Sequence, residues 1–105
     1  MVIIETPLFT KRIVDILNDG EYKEFQQYIV ANPDLGDIIP GSGGLRKIRW
    51  SAGGKGKRGG ARVIYYWYVT KEMLLMLFVF RKNERTNLTK EQINVLREIV
   101  KKEYV

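Results

Sequence analysis

Two runs stand almost back to back in the chain: Arg62-Val63-Ile64-Tyr65-Tyr66-Trp67-Tyr68-Val69 and Met73-Leu74-Leu75-Met76-Leu77-Phe78-Val79-Phe80. The first is rich in β-branched and aromatic residues, whose shapes suit a pleated surface, so it predicts a strand. The second is apolar at every position. Its shortness favours a strand buried on both faces, although its Leu and Met content also suits a helix. The short link between the two runs implies an antiparallel pair.

The neighbouring segments extend this sheet. Upstream, Leu45 to Trp50 alternates as a strand, and Ser51 to Gly60 is a Gly/Lys loop joining it to the next. Leu35 to Gly44 is a Gly/Pro-rich connection. Before it, Tyr22, Phe25 and Ile29 mark a helix ended by Asn32-Pro33. An earlier helix begins with Thr6 as N-cap and Pro7 at its first position. Its stripe is Phe9, Ile13, Ile16 and Leu17, and Asn18-Asp19-Gly20 stops it. Val2 to Glu5 is a short β-rich start. Downstream, Thr89-Lys90-Glu91-Gln92 reads as a capping box, and Ile93, Leu96, Ile99 and Val100 line one face of a last helix. The predicted order is β-α-α-β-β-β-α: an α+β fold with a twisted antiparallel four-stranded sheet, two N-terminal helices and a C-terminal helix. At 105 residues, with 45% hydrophobic side chains, residues 1–105 are expected to form one domain with a modest core.

Composition removes whole classes of chemistry. The chain has neither cysteine nor histidine. Disulfide scaffolds, thiol catalysis, Ser-His-Asp machinery and His- or Cys-ligated metal sites are therefore excluded. No apolar run approaches the ~20 residues of a membrane span. The start, Met1-Val2-Ile3-Ile4-Glu5, lacks a basic region and a cleavage site, so a cytoplasmic protein is expected.

The net charge is +6, and its distribution is uneven. Between Asp37 and Glu72 there is no acidic residue, while Arg46, Lys47, Arg49, Lys55, Lys57, Arg58, Arg62 and Lys71 lie within that gap. The rest of the chain holds 10 basic and 12 acidic residues. A one-signed stretch of this kind suits a polyanion, whereas a merely solvated surface usually mixes both signs.

Gly54-Lys55-Gly56-Lys57-Arg58-Gly59 formally matches G-x-G-x-x-G. A strand rather than a helix follows it, and no acidic residue stands where a ribose would need one, so it is no dinucleotide fingerprint. Gly60-Ala61 occupies the Lys-Ser/Thr place of a phosphate-binding P-loop, which excludes that motif too. What remains is a backbone able to approach phosphate, carrying the cations Lys55, Lys57 and Arg58. Alternation places Lys47 and Arg49 on one face of their strand, with Arg46, Ile48 and Trp50 on the other. In the next strand Arg62, Ile64, Tyr66 and Tyr68 share a face. Cations beside Tyr66 and its aromatic neighbours suit stacking of unpaired bases, so single-stranded RNA is the expected partner. Most of these aromatics are nonetheless expected in the core. Arg81-Lys82-Asn83-Glu84-Arg85, at the end of the buried strand, can face the same cleft.

The runs Gly43-Gly44-Leu45-Arg46-Lys47-Ile48-Arg49, Lys55 to Tyr66 and Lys82-Asn83-Glu84 closely resemble toxins of the RelE/HigB superfamily, most of all the HigB branch with a KGKRGG loop and a KNE segment. Asn32-Pro33-Asp34-Leu35-Gly36-Asp37 extends the likeness, which spans nearly the whole chain. The resemblance implies the element order above and a ribosome-dependent messenger RNA endonuclease. Such an enzyme enters the A site of the small subunit, where it contacts ribosomal RNA, and cuts the message there. The resemblance also implies a cognate antitoxin, usually a helix-turn-helix DNA-binding protein, and no cofactor. By motif position Lys47, Arg49 and Arg62 match the catalytic Lys-x-Lys and Arg of RelE-type toxins, with Arg in the second Lys place. Asn83 stands where the family has an Arg after the last strand. Thr89 replaces the tyrosine near the C-terminal helix, and Tyr104 alone follows it.

RNA transesterification needs the 2′-oxygen deprotonated, the phosphorane charge stabilised and the 5′-oxygen protonated. Arg49 and Arg62 can stabilise charge but cannot act as bases. Lys47 and Lys82 can move protons if neighbouring cations lower their pKa, and the assignment between them stays open. The expected catalytic set is Lys47, Arg49, Arg62, Lys82 and Asn83, with no metal. The expected RNA contacts are Arg46, Lys55, Lys57, Arg58, Tyr66 and Arg81. Two other readings are a non-catalytic RNA- or ribosome-binding module and a ParE-like toxin directed at gyrase.

Overall fold

Thr6 shows how the chain is tied together. Its hydroxyl accepts from the Phe9 N–H, at 3.1 Å, and so caps the first helix, α1 (Pro7–Ile16). The same hydroxyl donates 2.8 Å to the carbonyl of Leu77, far along the chain in strand β5 (Met73–Arg81). The computed structural model describes residues 1–51, 60–84 and 87–103.

Among these residues the sheet has five strands in the order β1-β5-β4-β3-β2, where β1 is Val2–Glu5, β2 Asp37–Ile38, β3 Arg46–Trp50 and β4 Ala61–Tyr68. Helix α2 (Asp19–Ala31) follows α1, and α3 (Lys90–Glu103) ends the described chain. The class is the α+β expected, with two departures. A fifth strand, β2, arises inside the Gly/Pro-rich connection, where Asp37 and Ile38 pair with Lys47 and Arg46. Two residues carry no readable period. Gly41, Gly43 and Gly44, all at positive φ, turn the chain back for that pairing. The second departure is that β1 pairs parallel with β5. The short-link rule holds for the consecutive β3, β4 and β5, which are antiparallel, but β1 reaches its neighbour only through the intervening chain.

Asn18 also does more than end α1. It caps α2 with a reciprocal capping box, Asn18 and Glu21 each accepting at 2.8 Å from the other's N–H. Only Leu17 and Asn18 separate the helices, so one signal serves as stop and start. The capping box at Thr89 and Gln92 forms as expected, at 2.8 and 3.1 Å.

The helices cover opposite faces of the sheet. Phe9 and Ile13 of α1, Leu17 of the link and Phe25 and Ile29 of α2 pack on Ile48, Val63, Tyr65, Leu74, Met76 and Val79. Leu96 and Val100 of α3 pack on Leu45, Ile64, Leu75, Leu77 and Phe80. Strand β5 is thus buried on both sides, as its unbroken apolar run requires. Its register slips once: Ile64 pairs with Phe78 and Tyr65 with Met76, leaving Leu77 as an extra residue. The Leu77 carbonyl is the one Thr6 satisfies. Beyond the end of β1, the free edge of β5 meets α1, where Arg12 Nε donates 2.7 Å to the Val79 carbonyl.

Candidate nucleic-acid interface

Alternation carries Lys47, Arg49 and Arg62 to the α3 side of the sheet. Arg49 and Arg62 are direct cross-strand partners, and Lys47 lies opposite Ile64. Two guanidinium groups side by side repel, an arrangement a sheet has no structural reason to adopt. Arg49 is exposed and Arg62 half-buried, with the buried Phe80 as its partner on β5. Burial and then the charge of Arg49 hold the Arg62 guanidinium below its ordinary pKa. Among the described residues, neither arginine donates a hydrogen bond to the protein or pairs with a carboxylate. Both are available to an incoming anion.

Lys47 is held differently. Its Nζ donates 2.6 Å to Oδ1 of Asn87, in the segment leading to α3. Beside it opens a cleft of about 450 Å³ whose lining includes Ile38, Pro40, Ile64, Asn87 and Ile93. The turn after β5 lies at the same end of the sheet as Arg49 and Arg62. There Lys82 N–H donates 3.2 Å to the Gly60 carbonyl, and the side chains of Lys82 and Asn83 are exposed.

The family described as RelE toxin of the RelE/RelB toxin–antitoxin system matches residues 30–104. The chain belongs to the RelE toxin family. A free-state mutant of the E. coli toxin RelE has a similar fold, with TM-score 0.60 over 92% of this chain and 93% of that one, at 11% identity.

Other expected contact residues of this RelE-family toxin lie apart from the cationic strip. Arg46 is on the opposite face, as alternation implied. Its Nη1 donates to the carbonyls of Asp34 and Gly36, at 3.0 and 2.7 Å, and its guanidinium lies 6.0 Å from the Trp67 ring centre. It pins the connection between α2 and β2 rather than facing the strip. Arg81 is likewise engaged, its Nη2 donating to the Asp15 carbonyl at the end of α1. Tyr66 shares the α3 face but sits four residues beyond Arg62, about 13 Å along β4. It packs edge-on against Tyr68, beside Gly44. Lys55, Lys57 and Arg58 lie outside the described residues. Among the described residues, no helix is long and apolar enough to cross a membrane.

Two features were not anticipated. Asn87 is 40 residues from Lys47, and no periodicity links them. Glu84, part of the KNE segment, braces the turn: it accepts from Arg12 Nη2 at 2.9 Å through both oxygens and from the Arg81 N–H at 2.7 Å. These contacts, the Arg81 N–H foremost and then Arg12, hold its carboxyl below the usual carboxylate range. Arg12 also lies over the Phe78 ring, 5.1 Å from its centre.

Proposed function

We propose that this toxin, of the HigB branch, is a messenger RNA endonuclease that cuts in the ribosomal A site and acts as a single domain. The supporting observation is the cross-strand pair of Arg49 and Arg62, with one member partly desolvated and both free of carboxylate partners among the described residues. Such a pair suits a phosphate whose charge grows during reaction. In the proposed step the 2′-oxygen attacks the adjacent phosphorus and the 5′-oxygen leaves. The products are a 2′,3′-cyclic phosphate and a 5′-hydroxyl. Arg49 and Arg62 stabilise the phosphorane, while Lys47 and Lys82 are the groups available to move the two protons. Asn83, on the same exposed turn as Lys82, lies at the rim of this site. Lys55, Lys57 and Arg58 add cations for the RNA backbone. The ribosome supplies orientation, which alone can remove ~7–11 kcal/mol from a barrier. A cognate antitoxin, of the helix-turn-helix DNA-binding kind, holds the toxin inactive.

Primer extension on a reporter message in a purified translation system, with and without ribosomes, tests this. Cuts at A-site positions only when ribosomes are present are expected. No cut in either condition from folded protein leaves a binding module, and DNA damage on expression points instead to gyrase.

A further inference from the structure

The cleft beside Lys47 has a chemistry of its own. Its walls are largely aliphatic: Ile38 and Pro40 from the β2 hairpin, Ile64 from the sheet and Ile93 from α3. Its polar side is the Lys47–Asn87 contact at 2.6 Å. An ammonium group can only donate, so Asn87 must turn Oδ1 towards Lys47. Its Nδ2 then carries two hydrogens that no described residue accepts; Asn87 is exposed, so they meet solvent and are open to a ligand. Asp37, also in the lining, disfavours entry of a phosphate. At about 450 Å³ the space is in the range of small-ligand sites. A flat ring with apolar faces and hydrogen-bond acceptors on its edge matches this combination.

The position is equally informative. Lys47 and Arg49 are two residues apart on one face, about 7 Å along the strand. A ring seated in the cleft therefore leaves its own phosphate close to the Arg49–Arg62 pair.

We propose that this cleft is a subsite for one nucleobase of the RNA, in which Asn87 hydrogen bonds the base through Nδ2 while holding Lys47 through Oδ1. The proposal rests on the RNA-cleaving reading of the cationic strip. Every nucleobase presents a carbonyl or ring-nitrogen acceptor to such an amide, and the aliphatic walls cover its faces. Asn87 thereby couples base recognition to the placement of the Lys47 ammonium.

The test is an NMR titration of the isotope-labelled full chain with 2′-O-methyl RNA tetranucleotides of each single base, which bind without being cut. Saturable shifts are expected at the Asn87 side-chain amide, the Ile38 and Ile93 methyl groups and the Arg49 and Arg62 Nε signals together. Asn87→Ala should raise Kd about tenfold and remove the methyl shifts while the arginine shifts persist. Asn87→Asp keeps an acceptor for Lys47 but loses the donors. It should preserve the Lys47 ammonium signal and still lose the methyl shifts, an outcome that a purely structural role for Asn87 does not give. If the arginine signals move while Asn87 and the isoleucines do not, RNA binds outside the cleft. The subsite is then wrong and the RNA reading stands. If no signal moves with any tetranucleotide, the cleft holds no base by itself and the subsite is wrong, while the RNA reading is decided by the primer-extension experiment on ribosomes.

Discussion

The two faces of the sheet use polar side chains in opposite ways. On the α1–α2 side, the polar groups are almost all spent within the protein. Arg46 donates to two carbonyls, and the Tyr65 hydroxyl accepts from Gly36 N–H and donates to the Pro33 carbonyl, both at 2.8 Å. Tyr22 donates to Glu5, and burial and then that carboxylate raise its phenol far above its ordinary pKa. Trp67 Nε1 is the exception, buried with no described partner. On the α3 side, Arg49 and Arg62 have no described acceptor, and Lys47 meets a single amide. Charge on the first face organises the chain, and the two arginines on the second have no described partner. The residue type does not separate them: Arg46 and Arg49 are three residues apart in one strand. What separates them is which side of the pleat each occupies and whether backbone carbonyls lie within reach.

Arg62→Ala is the strongest test of this contrast. It should cost at least ~2.7 kcal/mol of transition-state stabilisation, a hundredfold in cleavage rate, while the melting temperature holds or rises because like-charge repulsion is relieved. A parental rate on ribosomes would break the assignment of this face to chemistry.

Gly36→Ala probes the other face. A Cβ there would lie 2.7 Å from Tyr65 Cε1, and Tyr65 is fully buried, so neither group can yield easily. A loss of roughly 1–3 kcal/mol in denaturant unfolding is expected. Arg46→Ala should lower stability by roughly 1–2 kcal/mol by leaving the Asp34 and Gly36 carbonyls without their donor. It should leave the cleavage rate per folded molecule unchanged. A large rate loss without a stability loss would move Arg46 from scaffold to RNA contact.

The smallest expected effect belongs to Glu84. Its folded pKa is depressed, so its contribution is present above the unfolded carboxylate value of about 4.3 and is lost as pH falls through the lower folded value. Thermal melts of the parent and Glu84→Gln should therefore differ near pH 6 and converge towards pH 3. The gap should be small, because Glu84 is exposed. A gap that widens in acid would contradict the brace.

Elements written in local pattern were legible. Thr6-Pro7 starts α1, Asn32 ends α2, Thr89 to Gln92 caps α3, and alternation places Lys47 and Arg49 on one face of β3 and Arg62 with Ile64 on one face of β4. These follow from spacing that neighbours along the chain impose. The strand at Asp37 and Ile38 was not legible, since two residues show no period and their pairing depends on a distant partner. The parallel placement of β1 was hidden for the same reason, as no short link dictates its neighbour. In the site, alternation could give the face of Arg49 and that of Arg62 only within their own strands. The register that sets them directly opposite comes from strand pairing, and the Lys47–Asn87 contact from the docking of α3.

The sequence by itself determined the α+β class, the order of most elements, the acid-free basic stretch and the exclusion of histidine and cysteine chemistry. Each is a property of composition or of near-neighbour spacing. Tertiary structure decided which cations are spent and which stay free. That depends on the carbonyls and carboxylates that long-range packing brings within about 3 Å, and sequence distance carries no record of them.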